Sequence, residues 1–130
     1  MTGSLLPAVA PVPEDSAIHI LLVDDQSLSA EMIRELLAVE GERAWRLDYL
    51  QDPLLVEEKV QENSYHLILL DLVMPGMDGF TLLSRLRQLP GTRHVPIVML
   101  TSTEDAAHKA RAFALGANDY LVKLPEDEEL

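Results

Sequence analysis

The chain has 130 residues, of which 48% are apolar and 25% charged, a composition typical of a globular domain with one hydrophobic core. Its 10 Lys and Arg residues against 22 Asp and Glu residues give a formal charge of -12, which disfavours nucleic acids and anionic membranes as direct partners. The absence of cysteine excludes disulfides and thiolate metal sites. No apolar run approaches the ~20 residues that a membrane span requires.

The first segment, residues 1–16, is predicted to be a stiff, extended leader outside the fold. It contains Pro7, Pro11 and Pro13, and it lacks both the basic start and the uninterrupted apolar stretch of a secretory signal. The folded domain is therefore expected to occupy residues 17–130.

From residue 18 onwards, short apolar runs alternate with helical patterns. The run lengths and compositions predict five strands, at Ile18–Val23, Trp45–Leu50, Leu67–Leu70, Ile97–Leu100 and Leu121–Val122. Alternation of strands and helices predicts an α/β fold, in which right-handed crossovers build a parallel sheet with helices on both faces. Burial on both faces explains why most of the runs are apolar at every position.

Four amphipathic helices are predicted between the strands, each with an apolar face and a recognisable start or stop. The first ends at Gly41, and its apolar face consists of Leu28, Met32, Ile33, Leu36 and Leu37. The second has Asp52 as its cap and Pro53 as its first residue, and it carries Val56 and Val60. The third presents Leu82, Leu83, Leu86 and Leu89 and ends before Pro90; the fourth presents Ala106, Ala110, Phe113 and Ala114 and ends at Gly116.

The last unit of this alternation is short, because LPEDEEL after Lys123 provides only one or two turns of a fifth helix. We expect the domain to be cut at the start of that helix. Its absence would leave apolar surface on one face of the first, third and fifth strands, which would favour a dimer or coverage by the leader.

Polar residues follow the strands at the points where they end. Asp24 and Asp25 follow the first strand, Asp71 the third, Thr101 the fourth and Lys123 the fifth. Because the carboxyl ends of parallel strands share one edge of the sheet, these side chains are expected to converge in one crevice. The structural alternative is that Asp24 and Asp25 cap the following helix and that Asp71 ends a strand at a turn.

The charges of this crevice predict a cation. Two carboxylates about 4 Å apart repel by roughly 4 kcal/mol at an effective dielectric constant of 20. Three carboxylates and one ammonium sum to -2, which one divalent ion cancels, and an all-oxygen ligand set selects Mg²⁺ over zinc. If no ion binds, at least one of the acids should have a raised pKa.

Four stretches together resemble the receiver domains of response regulators in two-component signalling: LLVDDQ, LILLDLVMPGMDG, PIVMLTS and GANDYLVKLP. The resemblance covers Ile18 to about Pro125. It implies a flavodoxin-like, doubly wound sheet of five parallel strands in the order 2-1-3-4-5. In the loop after Asp71, Gly76 and Gly79 are expected to permit the turns that hold the loop in shape.

The resemblance also implies roles for the residues at the strand ends. Asp71 is the phosphoacceptor, and the Mg²⁺ ligands are Asp24, Asp25, Asp71 and the backbone carbonyl of Val73. Lys123, the Thr101 hydroxyl and the backbone N–H of Ser102 bind the phosphoryl group. Thr101 and Tyr120 form the switch, since movement of Thr101 towards the phosphoryl group makes room for the aromatic ring.

The partners implied are a sensor histidine kinase or phosphotransfer protein and a C-terminal output domain, in a cytoplasmic setting. The sequence KLP followed by acidic residues is similar to the receivers of Wsp-type regulators, whose output is a diguanylate cyclase that makes cyclic di-GMP. Most receivers have proline directly after the lysine, and here Leu124 separates Lys123 from Pro125.

Two other classes of function compete with a phosphoacceptor domain. A receiver-like protein-binding module would never accept phosphate, and retention of all the key residues argues against it. A Mg²⁺-dependent phosphohydrolase normally needs a general acid two residues after its aspartate, where this chain has Val73. The domain itself is therefore expected to be a regulatory module, not an enzyme with a small-molecule substrate.

Overall fold

A computed structural model describes residues 17–40, 44–102 and 104–123 of the chain, without the side chains of residues 39 and 40. The predicted leader, the stop of the first helix at Gly41 and the segment from Leu124 onwards lie outside the described residues. Strands and helices alternate along the chain as β1 (Ile18–Val23), α1 (Ser27–Glu40), β2 (Trp45–Leu50), α2 (Val56–Glu62), β3 (Leu67–Asp71), α3 (Gly79–Gln88), β4 (Ile97–Thr101), α4 (Ala106–Ala114) and β5 (Asp119–Val122). No helix in these ranges is long and apolar enough to cross a lipid bilayer.

The five strands form one parallel sheet in the order β2-β1-β3-β4-β5, which confirms the predicted fold. The bounds of β1 and β2 are those predicted from the sequence, and β3 and β4 each extend one residue further. The register pairs Val23 with Leu70, Asp71 with Leu100 and Thr101 with Val122, so the carboxyl ends of four strands lie along one edge.

The hydrophobic core lies on both faces of this sheet, because successive side chains of a strand point to opposite sides. Leu21 and Val23 of β1 face the larger cluster, which is covered by apolar residues of α2, α3 and α4. Ile20 and Leu22 face the smaller cluster under α1. Of the predicted apolar residues of the second and third helices, Val56, Val60, Leu82, Leu83 and Leu86 are buried. Leu89 follows the end of α3 and is only partly buried against the larger cluster.

Local signals in the sequence account for the starts of two helices. The Asp52 carboxylate accepts a hydrogen bond from the Leu54 N–H at 2.9 Å, and Pro53 opens a 3-10 turn that continues into α2. The Asp78 carboxylate accepts a hydrogen bond from the Thr81 N–H at 2.8 Å and so caps α3. The chain therefore leaves the carboxyl edge of the sheet through capped turns.

The predicted apolar face of α4 is wrong. Ala106, Ala110, Phe113 and Ala114 are exposed, and Ala112 is the buried residue of this helix. An alanine-rich helix gives a weak hydropathy pattern, so its inward side cannot be read from periodicity. Instead, the Arg111 guanidinium lies 4.3 Å from the centre of the Phe80 ring and holds the middle of α4 against α3.

The predicted face of α1 is correct only in part. Leu28, Met32 and Leu36 are exposed, whereas Ala30 is buried and Ile33 and Leu37 pack against the smaller cluster. The expected apolar exposure of β1 and β3 is also wrong, because α1 covers their residues Ile20, Leu22 and Leu69. On β5 the expectation is correct: Leu121 pairs with Leu100 of the smaller cluster and is itself exposed.

Three polar side chains connect β1, β2 and the residues before β3, an arrangement that the sequence did not reveal. The Asp48 Oδ2 atom lies 2.9 Å from Nε2 of His19 and accepts a hydrogen bond of 2.6 Å from the Tyr65 hydroxyl. The His19 and Tyr65 rings also contact each other, with 4.5 Å between their centroids. Burial alone would raise the pKa of Asp48, but the Tyr65 hydrogen bond and nearby His19 bring it below its usual value.

We predict that Asp48→Asn destabilises the fold at neutral pH and that the deficit shrinks in acid. A carboxyl whose pKa is lowered by folding contributes stability above its unfolded pKa of about 3.9, and this contribution is lost as the pH falls through the folded value. Urea unfolding of wild type and variant at pH 7 and at about pH 3 measures the difference. The exposed Glu58→Gln serves as a control, and a deficit that persists unchanged in acid would contradict the prediction.

Candidate functional site at the carboxyl edge of the sheet

Three carboxylates converge where β1 and β3 end, as predicted from the sequence. Asp24 and Asp71 are only 0% and 5% exposed, and Asp25 is partly buried. One oxygen from each of the three carboxylates lies within 4.8 Å of the others. No other group of three acidic or histidine side chains in the described ranges has this spacing, and none of the four histidines contributes to it.

Lys123 provides the positive charge of the site. Its Nζ atom donates a hydrogen bond of 3.0 Å to Oδ2 of Asp24 and lies 3.5 Å from Oδ1 of Asp71. The Lys123 N–H also donates to the Thr101 carbonyl at 2.6 Å, so pairing of β4 with β5 sets the position of the lysine. One ammonium thus neutralises part of the charge of two buried carboxylates that are 47 residues apart in sequence.

The backbone at the start of α1 explains why Asp24 is buried despite its charge. Its Oδ1 atom accepts a hydrogen bond of 2.9 Å from the Gln26 N–H, while its Oδ2 atom faces Lys123. The structural alternative, in which Asp24 caps the following helix, is therefore correct for one oxygen only. Oδ1 binds the backbone just before α1, whereas Oδ2 faces the pocket.

Asp71 is the most perturbed acid of the site. Burial raises its pKa, and the nearby Asp24 charge raises it further; Lys123 and the Val73 N–H act in the opposite direction, and the result is a value of about 7. The expectation that at least one acid of the metal-free pocket has a raised pKa is confirmed. At neutral pH a proton and a cation therefore compete for the same charge.

The donor set fits a hard divalent cation. Every candidate ligand atom is an oxygen, and three carboxylates with one ammonium carry a charge of -2. One oxygen from each carboxylate lies within 4.8 Å of the others, so the three residues could hold such an ion together.

The remaining predicted residues surround the pocket at different depths. Thr101 is 2% exposed at the end of β4, and Ser102 beside it is exposed. The Val73 side chain is 71% exposed, and its backbone N–H faces Asp71. The Val73 carbonyl as a ligand, and Thr101 and Ser102 as phosphoryl contacts, remain predictions.

Tyr120 lies on the other side of β5 from the exposed Leu121, within the larger core cluster. It is only 6% exposed, more deeply buried than an ordinary half-buried strand aromatic. Its hydroxyl has no hydrogen-bond partner among the described residues. A buried hydroxyl without a partner is unfavourable, so this ring position is not optimised for stability alone.

Sequence reasoning missed two contributors to the pocket. Gln26 places its Oε1 atom 3.5 Å from the Lys123 Nζ atom, and its position beside the acid pair was the available signal. Tyr49 lies near the pocket, and burial together with the charges of Asp24 and Asp25 raises its pKa, so its hydroxyl stays protonated. Pairing of β1 with β2, which the strand order predicts, brings Tyr49 there, but the order alone does not reveal that this ring lies near the acids.

Gly79 is needed for space and not for a turn, which corrects the sequence expectation. Its N–H donates to the Leu72 carbonyl at 2.8 Å, and a Cβ atom at this position would lie 2.6 Å from the Asp71 carbonyl oxygen. Gly76, by contrast, has a φ of 93° and does need the freedom of glycine. The start of α3 thus packs directly against the backbone of the central aspartate.

We predict that Asp71→Asn stabilises the metal-free domain. The substitution removes a buried charge beside Asp24, and the gain in unfolding free energy should amount to a few kcal/mol at most, because Lys123 already offsets part of the repulsion. Thermal unfolding at pH 8 in EDTA measures the gain, and excess Mg²⁺ should stabilise wild type more than the variant. Equal melting temperatures in EDTA, or equal Mg²⁺ effects, would contradict the prediction.

We predict that Tyr120→Phe leaves the unfolding free energy unchanged or raises it, because the lost hydroxyl has no partner. Tyr65→Phe is the matched control: it loses a hydrogen bond to a carboxylate and should cost about 1–3 kcal/mol. Urea titrations of both variants provide the comparison. Equal losses in the two variants would show that the Tyr120 hydroxyl has a stabilising role.

Comparison with known proteins places the chain in a family. Residues 20–130 match the response regulator receiver domain. One curated relative is the phosphate regulon transcriptional regulatory protein PhoB of Rhizobium meliloti, which is 34% identical over 119 residues, covering 92% of this chain and 46% of PhoB. Another is the cyclic di-GMP phosphodiesterase response regulator RpfG of Xanthomonas campestris, which is 34% identical over 116 residues, covering 89% of this chain and 30% of RpfG. The chain thus spans less than half the length of these relatives.

Solved structures agree with this placement. The Mn²⁺-bound form of response regulator Rcp1 superposes with a TM-score of 0.75 at 28% identity, covering 86% of this chain and 85% of Rcp1. Receiver domains are regulatory phosphoacceptor domains that interact with histidine kinases or phosphotransfer proteins, and enzymatic outputs lie in other domains. The match over most of the sequence, on a sheet of the same topology, shows that this chain belongs to the response regulator receiver domain family.

Proposed function

We propose that this domain accepts a phosphoryl group on Asp71 from a phosphohistidine of its kinase or phosphotransfer partner, and that Mg²⁺ supports the transfer. The observation that carries the proposal is the set of charges around Asp71. A nearly buried carboxylate lies between two further acids and one ammonium, at the edge of the sheet where ligands bind. This arrangement suits phosphoryl transfer, because positioning of the reactants and neutralisation of charge provide most of the catalysis in that reaction.

In the proposed transfer, an Asp71 carboxylate oxygen attacks the phosphorus atom in line with the phosphorus–nitrogen bond of the donor histidine. The new phosphorus–oxygen bond forms as the old bond breaks, and the imidazole nitrogen keeps the electron pair. Lys123, 3.5 Å from the Asp71 oxygen, is close enough to contact an oxygen of the incoming group. Because the attack requires an ionised carboxylate, conditions that remove the proton from Asp71 favour the reaction.

The ion would be held by the carboxylates of Asp24, Asp25 and Asp71 and the backbone carbonyl of Val73. Bound Mg²⁺ would supply positive charge to the oxygens of the phosphoryl group as it transfers. The Mn²⁺-bound state of Rcp1, a structure 28% identical to this chain, supports a divalent cation in a protein of this kind.

The signal would leave the site through Thr101, Ser102 and Tyr120. A phosphoryl group replaces a charge of -1 with one of about -2 to -3 in total, and the Thr101 hydroxyl and the Ser102 N–H would donate to its oxygens. Movement of Thr101 would change the space available to the Tyr120 ring on the neighbouring strand. The buried, unpaired Tyr120 hydroxyl supports this role, because such a ring can change position without losing a hydrogen bond.

The proposed domain boundaries place the leader at residues 1–16 and the receiver at 17–130, in a cytoplasmic protein. Relatives of similar identity are named as a transcriptional regulator and as a cyclic di-GMP phosphodiesterase, so the receiver itself does not define its output. Our proposal for the output is a diguanylate cyclase, which rests on the sequence after Lys123.

Phosphorylation is tested by the intact mass of the protein after incubation with acetyl phosphate and Mg²⁺. Wild type should gain the mass of one phosphoryl group, whereas EDTA or Asp71→Asn should abolish the gain. Asp119→Asn, which changes an exposed aspartate outside the pocket, should behave as wild type.

Three outcomes would overturn the proposal. A phosphoryl adduct that persists in Asp71→Asn would move the acceptor elsewhere. No adduct in wild type, together with no binding of a beryllium fluoride mimic, would favour a protein-binding module. Steady turnover of small phosphate esters would favour a phosphohydrolase.

A further inference from the structure

Arg87, the second arginine of α3, makes an unusual set of hydrogen bonds at the amino ends of β4 and β5. Its Nε atom donates to the Gly116 carbonyl at 2.9 Å, and its Nη2 atom donates to the Asn118 Oδ1 atom at 2.8 Å. Its Nη1 atom donates to the carbonyls of Thr92, Arg93 and Val95 at 3.0, 3.3 and 2.7 Å. A single guanidinium thus joins three segments: α3, the loop before β4, and the turn between α4 and β5.

The turn between α4 and β5 is built around this side chain. Gly116 has a φ of 113°, and a Cβ atom there would lie 3.0 Å from Cγ of Arg87. Asn118 then continues the connection, because its Oδ1 atom also accepts from the Ile97 N–H and its own N–H donates to the Ile97 carbonyl, both at 2.8 Å. The carboxyl end of α4 is therefore tied by directional hydrogen bonds to the start of β4.

The amino-terminal half of α4 has no such connection within the described residues 104–110. The Asp105 carboxylate accepts hydrogen bonds from the N–H groups of Ala107 and His108. These capping bonds join residues of the helix start to one another and not to a neighbouring strand or helix. No residue between Ala106 and Ala110 is buried, and the His108 ring contacts Phe80 edge-on with 5.7 Å between centroids. Such ring contacts tolerate small rotations that would break a guanidinium–carbonyl network.

We propose that Arg87 is a positioning residue of the phosphorylation switch: it fixes the carboxyl end of α4, so that the helix pivots there when its amino end follows Thr101. This inference rests on the function proposed for Asp71. Thr101 ends β4 immediately before the segment that leads into α4, so displacement at Thr101 reaches the free end of the helix first. With Arg87 in place the displacement becomes a rotation of α4, and without it the whole helix shifts.

The arginine cannot be replaced by another cation in this role. The planar guanidinium has five N–H donors in a fixed fork, whereas the lysine ammonium is a point charge with three donors on a flexible stem. Arg87→Lys therefore keeps the charge and loses the simultaneous bonds to Gly116, Asn118 and the loop before β4. The neighbouring Arg85→Lys is the matched control, since Arg85 is exposed and forms a single ion pair with Glu57.

The test compares the two variants with wild type by amide NMR, in Mg²⁺ with and without beryllium fluoride. In wild type and Arg85→Lys, chemical-shift changes on addition of the mimic should be large at residues 104–110 and fall to background by residues 115–118. In Arg87→Lys they should extend through Asn118, and the amides of Gly116 and Ala117 should exchange at least about tenfold faster, as expected when hydrogen bonds to a charged group are lost.

A purely structural role for Arg87 would speed exchange but leave the profile of mimic-dependent shifts as in wild type, and that result would overturn the proposal. If Arg87→Lys does not fold, Asn118→Ala serves instead, because it removes the hydrogen bond between Arg87 and Asn118. In this variant the mimic-dependent shifts should also extend beyond residues 104–110, and a wild-type pattern of shifts would overturn the proposal. Intact mass after acetyl phosphate treatment separates failure of the function proposed for Asp71 from failure of the role proposed for Arg87. Wild type without an adduct defeats the proposed function and this role together, whereas adducts with unchanged profiles defeat only the role of Arg87.

Discussion

Repulsion among three carboxylates at the carboxyl edge of the sheet is the constraint on which the rest of this structure depends. Asp24 and Asp71 are almost fully buried, and Asp25 adds a third charge beside them. Burial of unpaired charges is costly, and one ammonium from Lys123 offsets only part of it. The remaining imbalance raises the pKa of Asp71, so the pocket favours a cation.

The parallel sheet makes this concentration of charge possible. Asp24 and Lys123 are 99 residues apart in sequence, yet both follow strands that end at the same edge. The backbone bond between the Lys123 N–H and the Thr101 carbonyl fixes the lysine relative to β4, and the close approach of Gly79 fixes the backbone of Asp71. Core packing on both faces therefore compensates for a site that is unfavourable by itself.

The sequence was sufficient for features that depend on local patterning and on strand order along the chain. The bounds of β1 and β2, the cap at Asp52 and the convergence of Asp24, Asp25, Asp71 and Lys123 are of this kind. It failed where several faces of a helix are similarly apolar, as in α4, whose buried residue is Ala112, and in α1, where Leu36 is exposed. It also failed for side chains whose partners lie far away in sequence. Neither the Asp48–Tyr65 bond nor the hydrogen bonds of Arg87 leave a periodic signal.

The two edges of the sheet thus have opposite electrostatic characters, and a switch needs both. Away from the carboxyl edge, His19, Asp48 and Tyr65 form one hydrogen-bonded cluster, and Arg87 donates to carbonyl and amide oxygens at the amino ends of β4 and β5. At the carboxyl edge, three carboxylates face one ammonium, so negative charge remains in excess. In the pivot that we propose for α4, the carboxyl edge supplies the change in charge and the Arg87 network resists displacement at the opposite edge. Stability is therefore concentrated away from the site, and the capacity to respond is concentrated within it.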